Sequence, residues 1–192
     1  MEQVTHLPAG ELEQRVEHIL QSPRDAGELK LIVCRPNVDE RETLAAARLD
    51  KELGLVGDNW SVRSKVDPDM QLNIMNARVI ETVAQTPERW PLAGDQLFID
   101  LDLSRENLPP GTQIALGDAI IEVTEPPHTG CKKFAARFGV DAMVFVNSGR
   151  GKSLSFRGIC ARVVRSGDIK VGDLARKVSQ AHRVSHTSQC GV

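Results

Sequence analysis

The chain has 192 residues, of which 41% are hydrophobic and 26% are charged, and its formal net charge is -2. These values are typical of a globular domain and exclude disordered, collagen-like and coiled-coil chains, while the charge argues against a dedicated nucleic-acid binder. No run approaches the ~20 apolar residues that span a bilayer, and the first residues lack the apolar stretch of a secretory signal, so we expect a soluble cytoplasmic protein without a membrane partner.

The first part of the chain mixes helical and extended patterns. Residues 11–21 repeat apolar side chains at helical spacing, and residues 29–34 form a β-rich run that predicts the first strand. Residues 40–66 are polar and rich in turn formers, which predicts a loop without regular elements. Residues 72–85 place apolar side chains on one helical stripe and predict a second helix.

The second part of the chain indicates short strands separated by turns. Alternating apolar and acidic residues predict a strand at 99–103. Residues 112–116 and 119–124 flank a Gly-Asp pair, which predicts a hairpin with a two-residue loop. A further short strand is expected at 143–146.

The last two predicted strands, 154–165 and 169–171, flank a Ser-Gly-Asp turn and predict a second hairpin. The whole pattern lacks the regular strand–helix alternation of a doubly wound sheet. It predicts a mainly β fold, a closed or nearly closed β-barrel with a few decorating helices, because closure removes exposed strand edges. The expected organisation is an N-terminal helical extension over 1–28, a barrel domain over 29–178 and a mobile C-terminal tail over 179–192.

The four cysteines are Cys34, Cys131, Cys160 and Cys190. No two of them form a C-x-x-C pair, so neither a structural zinc site nor a cytosolic disulfide framework is expected. Cys34 and Cys160 lie in apolar runs and are interpreted as small buried residues. In the tail, His182, His186 and Cys190 are four residues apart, a spacing that we interpret as coincidence in a Ser-rich segment.

Cys131 lies in different surroundings. A double proline ends the preceding strand, and residues 132–138 then read as a short helix that ends at Gly139. The thiol is therefore expected at a helix N-terminus, where the dipole and the free N–H groups favour an anion. A cysteine that only fills space beside a turn is the alternative, but the combination favours a reactive or metal-ligating thiolate. The nearby groups that lower the pKa of a thiol are His128, Lys132, Lys133 and Arg137.

A second cluster is cationic and begins in the glycine-punctuated residues 147–153. Glycine allows close backbone approach and arginine grips phosphate oxygens, so this stretch is a candidate phosphate cradle, with solvated surface charge as the alternative. It is not a P-loop, because Val146 stands where that motif needs its first glycine. Strand alternation places Arg157 and Arg165 on one face and Arg162 on the other. The cluster consists of Arg150, Lys152, Arg157, Arg162 and Arg165.

Several segments together resemble the MOSC domain, the C-terminal domain of molybdenum cofactor sulfurases. These segments are 54–58, 102–108, 114–124, 128–131, 157–163 and 169–173, in the order found in the family. The similarity covers about residues 30–175 and is nearest to small stand-alone bacterial members whose cysteine lies in a His-Thr-Gly-Cys segment. The resemblance implies a mostly β fold with a barrel core of the pyruvate-kinase-barrel type.

The resemblance also implies a site. Cys131 matches the cysteine that ligates molybdenum in cofactor-binding relatives, and a soft thiolate suits that metal; His128 is the second catalytic candidate. Arg105 and Asn107 match the family's Arg-x-Asn pattern, and Thr129 matches a small hydroxyl residue before the cysteine. The further candidates for binding molybdopterin are Lys132, Arg150, Arg157 and Arg162. Pyridoxal phosphate is expected on a partner desulfurase and not on this chain, because relatives carry that activity on a separate large domain.

Three functions follow from these residues. The first is a molybdenum-cofactor protein that acts as an oxidoreductase on N-hydroxylated small molecules, with an electron-transfer protein as partner. The second is a sulfur carrier that takes a persulfide on Cys131 from a cysteine desulfurase for delivery to a metal–sulfur centre. The third is a non-catalytic ligand-binding barrel in which Cys131 is incidental. An arginine-lined pocket beside Cys131 would favour the first function, and a protruding sulfur without a cleft would favour the second.

Overall fold

The structure is a computed structural model that describes residues 5–178. Its helices are α1 (Ala9–Gln14), α2 (Val16–Leu20), α3 (Ala77–Ala84), α4 (Lys132–Phe138), α5 (Val140–Asn147) and α6 (Gly149–Ser153). Its strands are β1 (Ala26–Cys34), β2 (Glu42–Leu44), β3 (Ala46–Asp50), β4 (Gly54–Leu55), β5 (Leu72–Asn76), β6 (Leu97–Asp100), β7 (Gln113–Leu116), β8 (Ala119–Val123), β9 (Ile159–Arg165), β10 (Gly167–Lys170) and β11 (Leu174–Lys177). Short 3-10 helices cover Asn59–Val62, Pro68–Met70 and Pro87–Ala93.

Seven strands close into a barrel in the order β1, β11, β7, β8, β9, β5, β6 and back to β1. Neighbouring barrel strands run antiparallel, except that β5 and β6 are parallel. Closure occurs on β1, where Ala26 pairs with Arg176 of β11 and Glu28 pairs with Asp100 of β6. The prediction of a mainly β, closed barrel with a few helices is therefore confirmed.

The predicted hairpin of β7 and β8 is also confirmed. Leu116 pairs with Ala119 across the two-residue loop of Gly117 and Asp118. Gly117 has a φ of 54°, in the left-handed region that a tight hairpin turn requires and that glycine adopts without strain.

The prediction that residues 40–66 form a loop without regular elements is wrong. Strands β2, β3 and β4 and one 3-10 helix lie in this stretch. The partner that makes β3 a strand is β10, and Ala46 pairs with Lys170. Because that partner is remote in sequence, local composition does not reveal the strand. The same pairing overturns the second predicted hairpin, since within residues 5–178 β10 pairs with β3 and not with β9.

The prediction of one helix over 72–85 is correct only for its second half. Residues Leu72–Asn76 form β5, which lies between β6 and β9 and has Leu72 and Ile74 completely buried. Asn76 ends the strand and caps α3, because its Oδ1 accepts hydrogen bonds from the N–H groups of Arg78 (2.8 Å) and Val79 (3.2 Å). Burial in the barrel thus overrides the helical spacing of the first five residues.

Two further predicted strands are helical or irregular. Residues 143–146 lie inside α5, whose Ala142, Phe145 and Val146 are buried. The strand expected at 154–165 begins only at Ile159, after α6 and a turn. Gly158 has a φ of 108°, outside the conformation of a strand. Arg157 therefore precedes the strand, and the expected alternation with Arg165 does not apply to it.

The helices cover one side of the barrel over a second apolar core. Leu12, Val16 and Ile19 of the two N-terminal helices are buried in it, whereas Leu20, expected on the same face, is 46% exposed. The buried aromatic residues of this core are Phe98, Phe134, Phe138, Phe145 and Phe156. None of the helices between residues 5 and 178 has the length and apolar character of a membrane span. The predicted tail at 179–192, with His182, His186 and Cys190, lies outside the described residues.

Candidate functional site

The candidate site is built on the loop between β8 and α4. The double proline follows the end of β8, and Cys131 is the N-cap residue of α4, which starts at Lys132 as the sequence predicts. The helix ends at Gly139, whose φ of 94° is adopted readily only by glycine. Both ends of this short helix thus follow from local sequence, and they place the cysteine at its start.

Cys131 is exposed, and its environment stabilises the thiolate. Partial burial acts to raise its pKa, but the N–H groups of Phe134 and Lys133 and the charge of Arg157 outweigh it, so the pKa of Cys131 lies below the ordinary thiol value. The N–H groups at the helix start favour the ionised form of the side chain. The arrangement suits a nucleophile or a metal ligand.

The other two cysteines within residues 5–178 have the opposite character. Cys34 and Cys160 are buried, as the sequence predicts. Burial raises the pKa of both thiols, that of Cys160 to about 11. Cys131 is therefore the one thiol in this part of the chain that combines access with a lowered pKa.

Asn147 at the end of α5 fixes the turn before Cys131. Its Oδ1 accepts a hydrogen bond from the N–H of Gly130 at 2.9 Å, and its Nδ2 donates to the carbonyl oxygen of Gly130 at 2.9 Å. A Cβ on Gly130 would lie 3.1 Å from both Asn147 Nδ2 and Val146 Cγ2, so glycine allows this close approach. The helix that follows Cys131 is thereby tied to α5.

A buried ion pair between Arg157 and Asp95 contacts the first turn of α4. Arg157 Nη1 lies 3.0 and 2.7 Å from the two carboxylate oxygens of Asp95, and its Nη2 donates to the carbonyl of Ala93 at 3.0 Å. The guanidinium also lies 5.0 Å from the ring centroid of Phe134, in the first turn of α4. Burial is the largest influence on Asp95 and raises its pKa, although Arg157 opposes it. The positive charge that acts on Cys131 is that of the Arg157 guanidinium, which Asp95 holds in this position.

His128 faces the same ion pair. Its Nδ1 is 3.3 Å from Oδ1 of Asp95 but is not aligned for a hydrogen bond. Burial, followed by the charges of Arg157 and Arg35, holds the pKa of His128 well below its usual value. The ring is therefore neutral at pH 7, and residues 5–178 contain no hydrogen bond between His128 and Cys131.

A cleft of about 860 Å³ opens beside this cluster. Five of the predicted site residues or cluster members line it: Arg105, His128, Thr129, Lys152 and Arg157. Its apolar wall includes Leu108, Val123 and Ile159. Cys131 does not line the cleft, but Thr129, two residues before it, does. The volume is within the range of small-molecule and cofactor sites.

The other predicted cofactor-binding residues lie outside this cleft. Asn107 is buried, and its Nδ2 donates at 2.8 Å to the carbonyls of Arg24 and Asp102, a structural role. Arg162 pairs on the barrel surface with Asp69 and Glu122. Arg150 lies 3.9 Å from Glu13, and Lys132 is exposed at the start of α4.

The expected glycine-rich phosphate cradle is not an open loop. Residues 149–153 form α6, and Oγ of Ser148 accepts the N–H of Gly151 at 2.9 Å. A Cβ on Gly151 would lie 2.4 Å from the carbonyl oxygen of Phe145, so this glycine serves helix packing. Of the two cations in this stretch, Lys152 lines the cleft and Arg150 does not.

Sequence reasoning missed Asp95 and Asn147. Each acts on a residue far along the chain, Arg157 and Gly130 respectively, and neither lies in a recognisable motif. Among residues 5–178 no three His, Cys, Asp or Glu side chains are grouped as a metal-ion site.

Comparisons with known proteins agree with this architecture. No curated protein matches the chain. A crystal structure of a hypothetical protein has a TM-score of 0.57 at 21% identity, over 84% of this chain and 72% of that chain. YiiM from Escherichia coli has a TM-score of 0.53 at 21% identity, over 80% of this chain and 71% of its own.

The YUAD protein from Bacillus subtilis has a TM-score of 0.52 at 16% identity, over 78% of this chain and 94% of its own. At these identities the solved structures show a shared fold alone. The family model of the MOSC domain matches residues 63–176, more than half of the chain. That match includes Cys131, His128 and Arg157, around which the site is built, and the chain belongs to the MOSC domain family.

Proposed function

We propose that this protein binds the molybdenum cofactor in the cleft and that the Cys131 thiolate is the protein ligand to the metal. MOSC domains are associated with this cofactor in general. The observation that carries the proposal is the position of an exposed thiol of lowered pKa beside a large cationic cleft. A thiolate is a soft ligand that suits molybdenum.

The cleft fits such a group in charge and shape. Lys152 lines it and has no carboxylate within 4.0 Å among residues 5–178. Arg105 is held at the exposed surface by Glu125, whose carboxylate and carbonyl oxygens lie 3.3 and 3.4 Å from its Nη2. Both cations are therefore available to a phosphate. The apolar wall suits the face of a planar ring. Two buried polar atoms of cleft residues, Nε of Arg157 and Nδ1 of His128, have no hydrogen-bond partner in the described chain and await an acceptor or a donor.

The protein's own residues have defined tasks in this proposal. The bound cofactor supplies two-electron redox chemistry at molybdenum, and we propose an oxidoreductase that acts on N-hydroxylated small molecules. The N–H groups at the start of α4 and the charge of Arg157 lower the pKa of Cys131 and so favour the thiolate that would ligate the metal. His128, neutral and on the wall of the cleft, offers a hydrogen bond there without adding charge.

Metal and pterin content test this function. The protein is produced with molybdate in a host that makes the cofactor, and molybdenum and pterin are measured per chain. We expect both in the wild type and in Cys190→Ser, a matched change outside residues 5–178, and a loss of molybdenum of about tenfold or more in Cys131→Ser. Wild-type protein with intact thiols and with neither molybdenum nor pterin would refute the proposal.

A sulfur carrier is the second candidate, and one observation favours it. Cys131 is exposed and is not part of the cleft lining, so a protein partner has access to the sulfur. The thiolate would attack the outer sulfur of a persulfide on a cysteine desulfurase. The donor's S–S bond then breaks, the donor cysteine leaves as a thiolate, and Cys131 holds the persulfide.

Mass spectrometry distinguishes this second candidate. After incubation with a desulfurase and cysteine, the carrier function predicts one added sulfur atom on Cys131 and none on Cys34 or Cys160, which are buried. No adduct, or adducts spread equally over all cysteines, would exclude the carrier function.

A further inference from the structure

A second cavity, of about 470 Å³, lies next to the Cys131 helix. We name it the basic pocket; its lining includes Arg35, Asn59, Arg41, Arg63, Lys133 and the two valines Val38 and Val62. Lys133 is two residues after Cys131, so the pocket adjoins the start of α4. Of residues 5–178, none lines both this pocket and the cleft.

Positive charge in the basic pocket is only partly neutralised. Arg35 is committed to the buried Asp58, which its Nε and Nη2 contact at 2.7 and 2.8 Å. Asp39 is the one acidic residue among the described lining residues, and it is shared by Lys133 at 3.3 Å and Arg137 at 3.2 Å. The remaining cations of the basic pocket therefore outnumber the carboxylates that could neutralise them.

Arg41 and Arg63 carry this excess. Neither has a carboxylate within 4.0 Å among residues 5–178. Arg63 donates to Oδ1 of Asn59, and Nε of Arg41 is buried without any hydrogen-bond partner in the described chain. Burial, followed by neighbouring arginine charges, lowers the pKa of both guanidinium groups, as expected where like charges are held together.

Two arginines around the basic pocket, Arg35 and Arg137, are held at the end of the 3-10 helix Pro87–Ala93. Arg137 donates to the carbonyl of Leu92 at 2.7 Å, and Arg35 donates to that of Gly94 at 2.8 Å. Arg41 also lies close to Gly94, because its Nη2 is 3.7 Å from the position that a Cβ would occupy there. The φ of Gly94 is 87°, in the left-handed region. The carbonyls of Leu92 and Gly94 thus hold Arg137 and Arg35 near Arg41, although the like charges repel one another.

The rim of the basic pocket is apolar. Val62 is 81% exposed and Val38 is 79% exposed, the two highest values among the large hydrophobic residues of the described chain. Both line this pocket. A small oxyanion would leave these side chains in water, whereas a protein segment would cover them.

We propose that the basic pocket is a docking site for an acidic segment of a partner protein that carries an apolar side chain beside its carboxylates. The carboxylates would neutralise Arg41 and Arg63, and the apolar side chain would cover Val38 and Val62. A partner bound here would stand next to Cys131, because Lys133 belongs to both the pocket and α4. The docking does not depend on what Cys131 carries.

Binding of a model peptide to the full chain tests this site. The probe is a fluorescein-labelled peptide of alternating glutamate and leucine, followed by fluorescence anisotropy, with unlabelled pyrophosphate as a competitor. We expect saturable binding that weakens with salt, a loss of about fivefold in Arg63→Ser and Arg41→Ser, and about threefold in Val62→Ser. Arg165→Ser and Val171→Ser, matched changes outside the pocket, are expected to bind like the wild type.

Two results would overturn the proposal. One is the absence of saturable peptide binding by correctly folded wild-type protein. The other is displacement of the peptide by equimolar pyrophosphate together with unchanged binding by Val62→Ser, which would make the pocket a site for a small oxyanion. Neither result bears on the molybdenum content of the protein, so the failure of this proposal is distinguishable from failure of the proposed function.

Discussion

Asn147 holds the backbone of Gly130 through both of its side-chain hydrogen-bonding groups, one residue before Cys131. A single side chain thereby satisfies the N–H and the C=O of the same residue and fixes the orientation of the peptide that leads into α4. The direction in which Cys131 presents its sulfur to the N–H groups of Lys133 and Phe134 depends on that peptide. We therefore expect the two Asn147 hydrogen bonds to affect the reactivity of the Cys131 thiol as well as the stability of the protein.

Asn147→Ala should slow the reaction of Cys131 with iodoacetamide at pH 7 by about threefold, because a looser turn weakens the stabilisation of the thiolate by the helix start. The pH dependence of the alkylation rate measures this effect, and its midpoint should move upward. Val144→Ala, on the exposed face of the same helix, is the control and should leave the profile unchanged. If Asn147→Ala lowers the melting temperature but leaves the alkylation profile unaltered, the two Asn147 hydrogen bonds have a purely structural role.

Limited alkylation should distinguish the cysteines of the native protein. At pH 7.5 we expect Cys131 to be modified first, because it is exposed and its pKa is lowered. Cys160, with a pKa of about 11, holds a thiolate fraction below about one in a thousand at this pH, and Cys34 is buried. Peptide mapping by mass spectrometry measures the order of modification. Modification of Cys160 as fast as that of Cys131 would contradict the electrostatic description of the site.

Asp95→Asn should lower the free energy of unfolding by about 3 kcal/mol or more, because it leaves the Arg157 guanidinium buried without a counter-charge. Urea denaturation measures the loss. The double variant Asp95→Leu with Arg157→Leu should lose much less, since no isolated charge then remains in the interior. If the single and the double variant lose the same free energy of unfolding, an unpaired buried charge is not the cause of the loss, and this prediction is wrong.

Acid should destabilise the protein through His128. Its pKa in the folded state is held well below 6.5, so the unfolded chain binds a proton that the folded chain does not. The stability contributed by the neutral ring is present above about pH 6.5 and is lost as the pH falls towards the folded pKa, with a slope of at most ~1.4 kcal/mol per pH unit. Urea denaturation between pH 7.5 and 5 measures the slope, and His128→Gln should flatten it. Parallel profiles of the two proteins would disprove this assignment.

Local sequence was sufficient where neighbours along the chain make the structure. The hairpin of β7 and β8 and the helix α4 were predicted because turn glycines, prolines and apolar alternation act within a few residues. Within residues 40–66 and 72–76, β3 and β5 were missed because their partners β10 and β9 lie far along the chain. The other two strands of this part, β2 and β4, pair with the nearby β1 and β3, and the polar composition of the stretch concealed them. Strand formation depends on such partners more than on intrinsic preference.

The residues of the candidate site also differ in whether local sequence was sufficient to identify them. Cys131 was identified from its own segment, since the helix start whose N–H groups lower its pKa follows it directly. The cation that lowers this pKa is Arg157 on a remote segment, and not the neighbouring basic residues that the sequence suggests. Asn107 and Arg162 match family or charge patterns, yet the fold commits them to contacts outside the cleft. Asp95 was not identified, because its importance comes from Arg157 on a different segment.

The sequence by itself determined a mainly β barrel and a cysteine at the start of a helix, because turn chemistry, alternation and the helix dipole are local effects. The MOSC family entered through the resemblance of its short segments. Only the tertiary structure decided which cations face a common cleft, which one is buried against Asp95, and that Arg41, Arg63 and two exposed valines share a second pocket. The physical reason is that charges interact through space. Their partners, their burial and therefore their ionisation are set when barrel closure brings remote segments together.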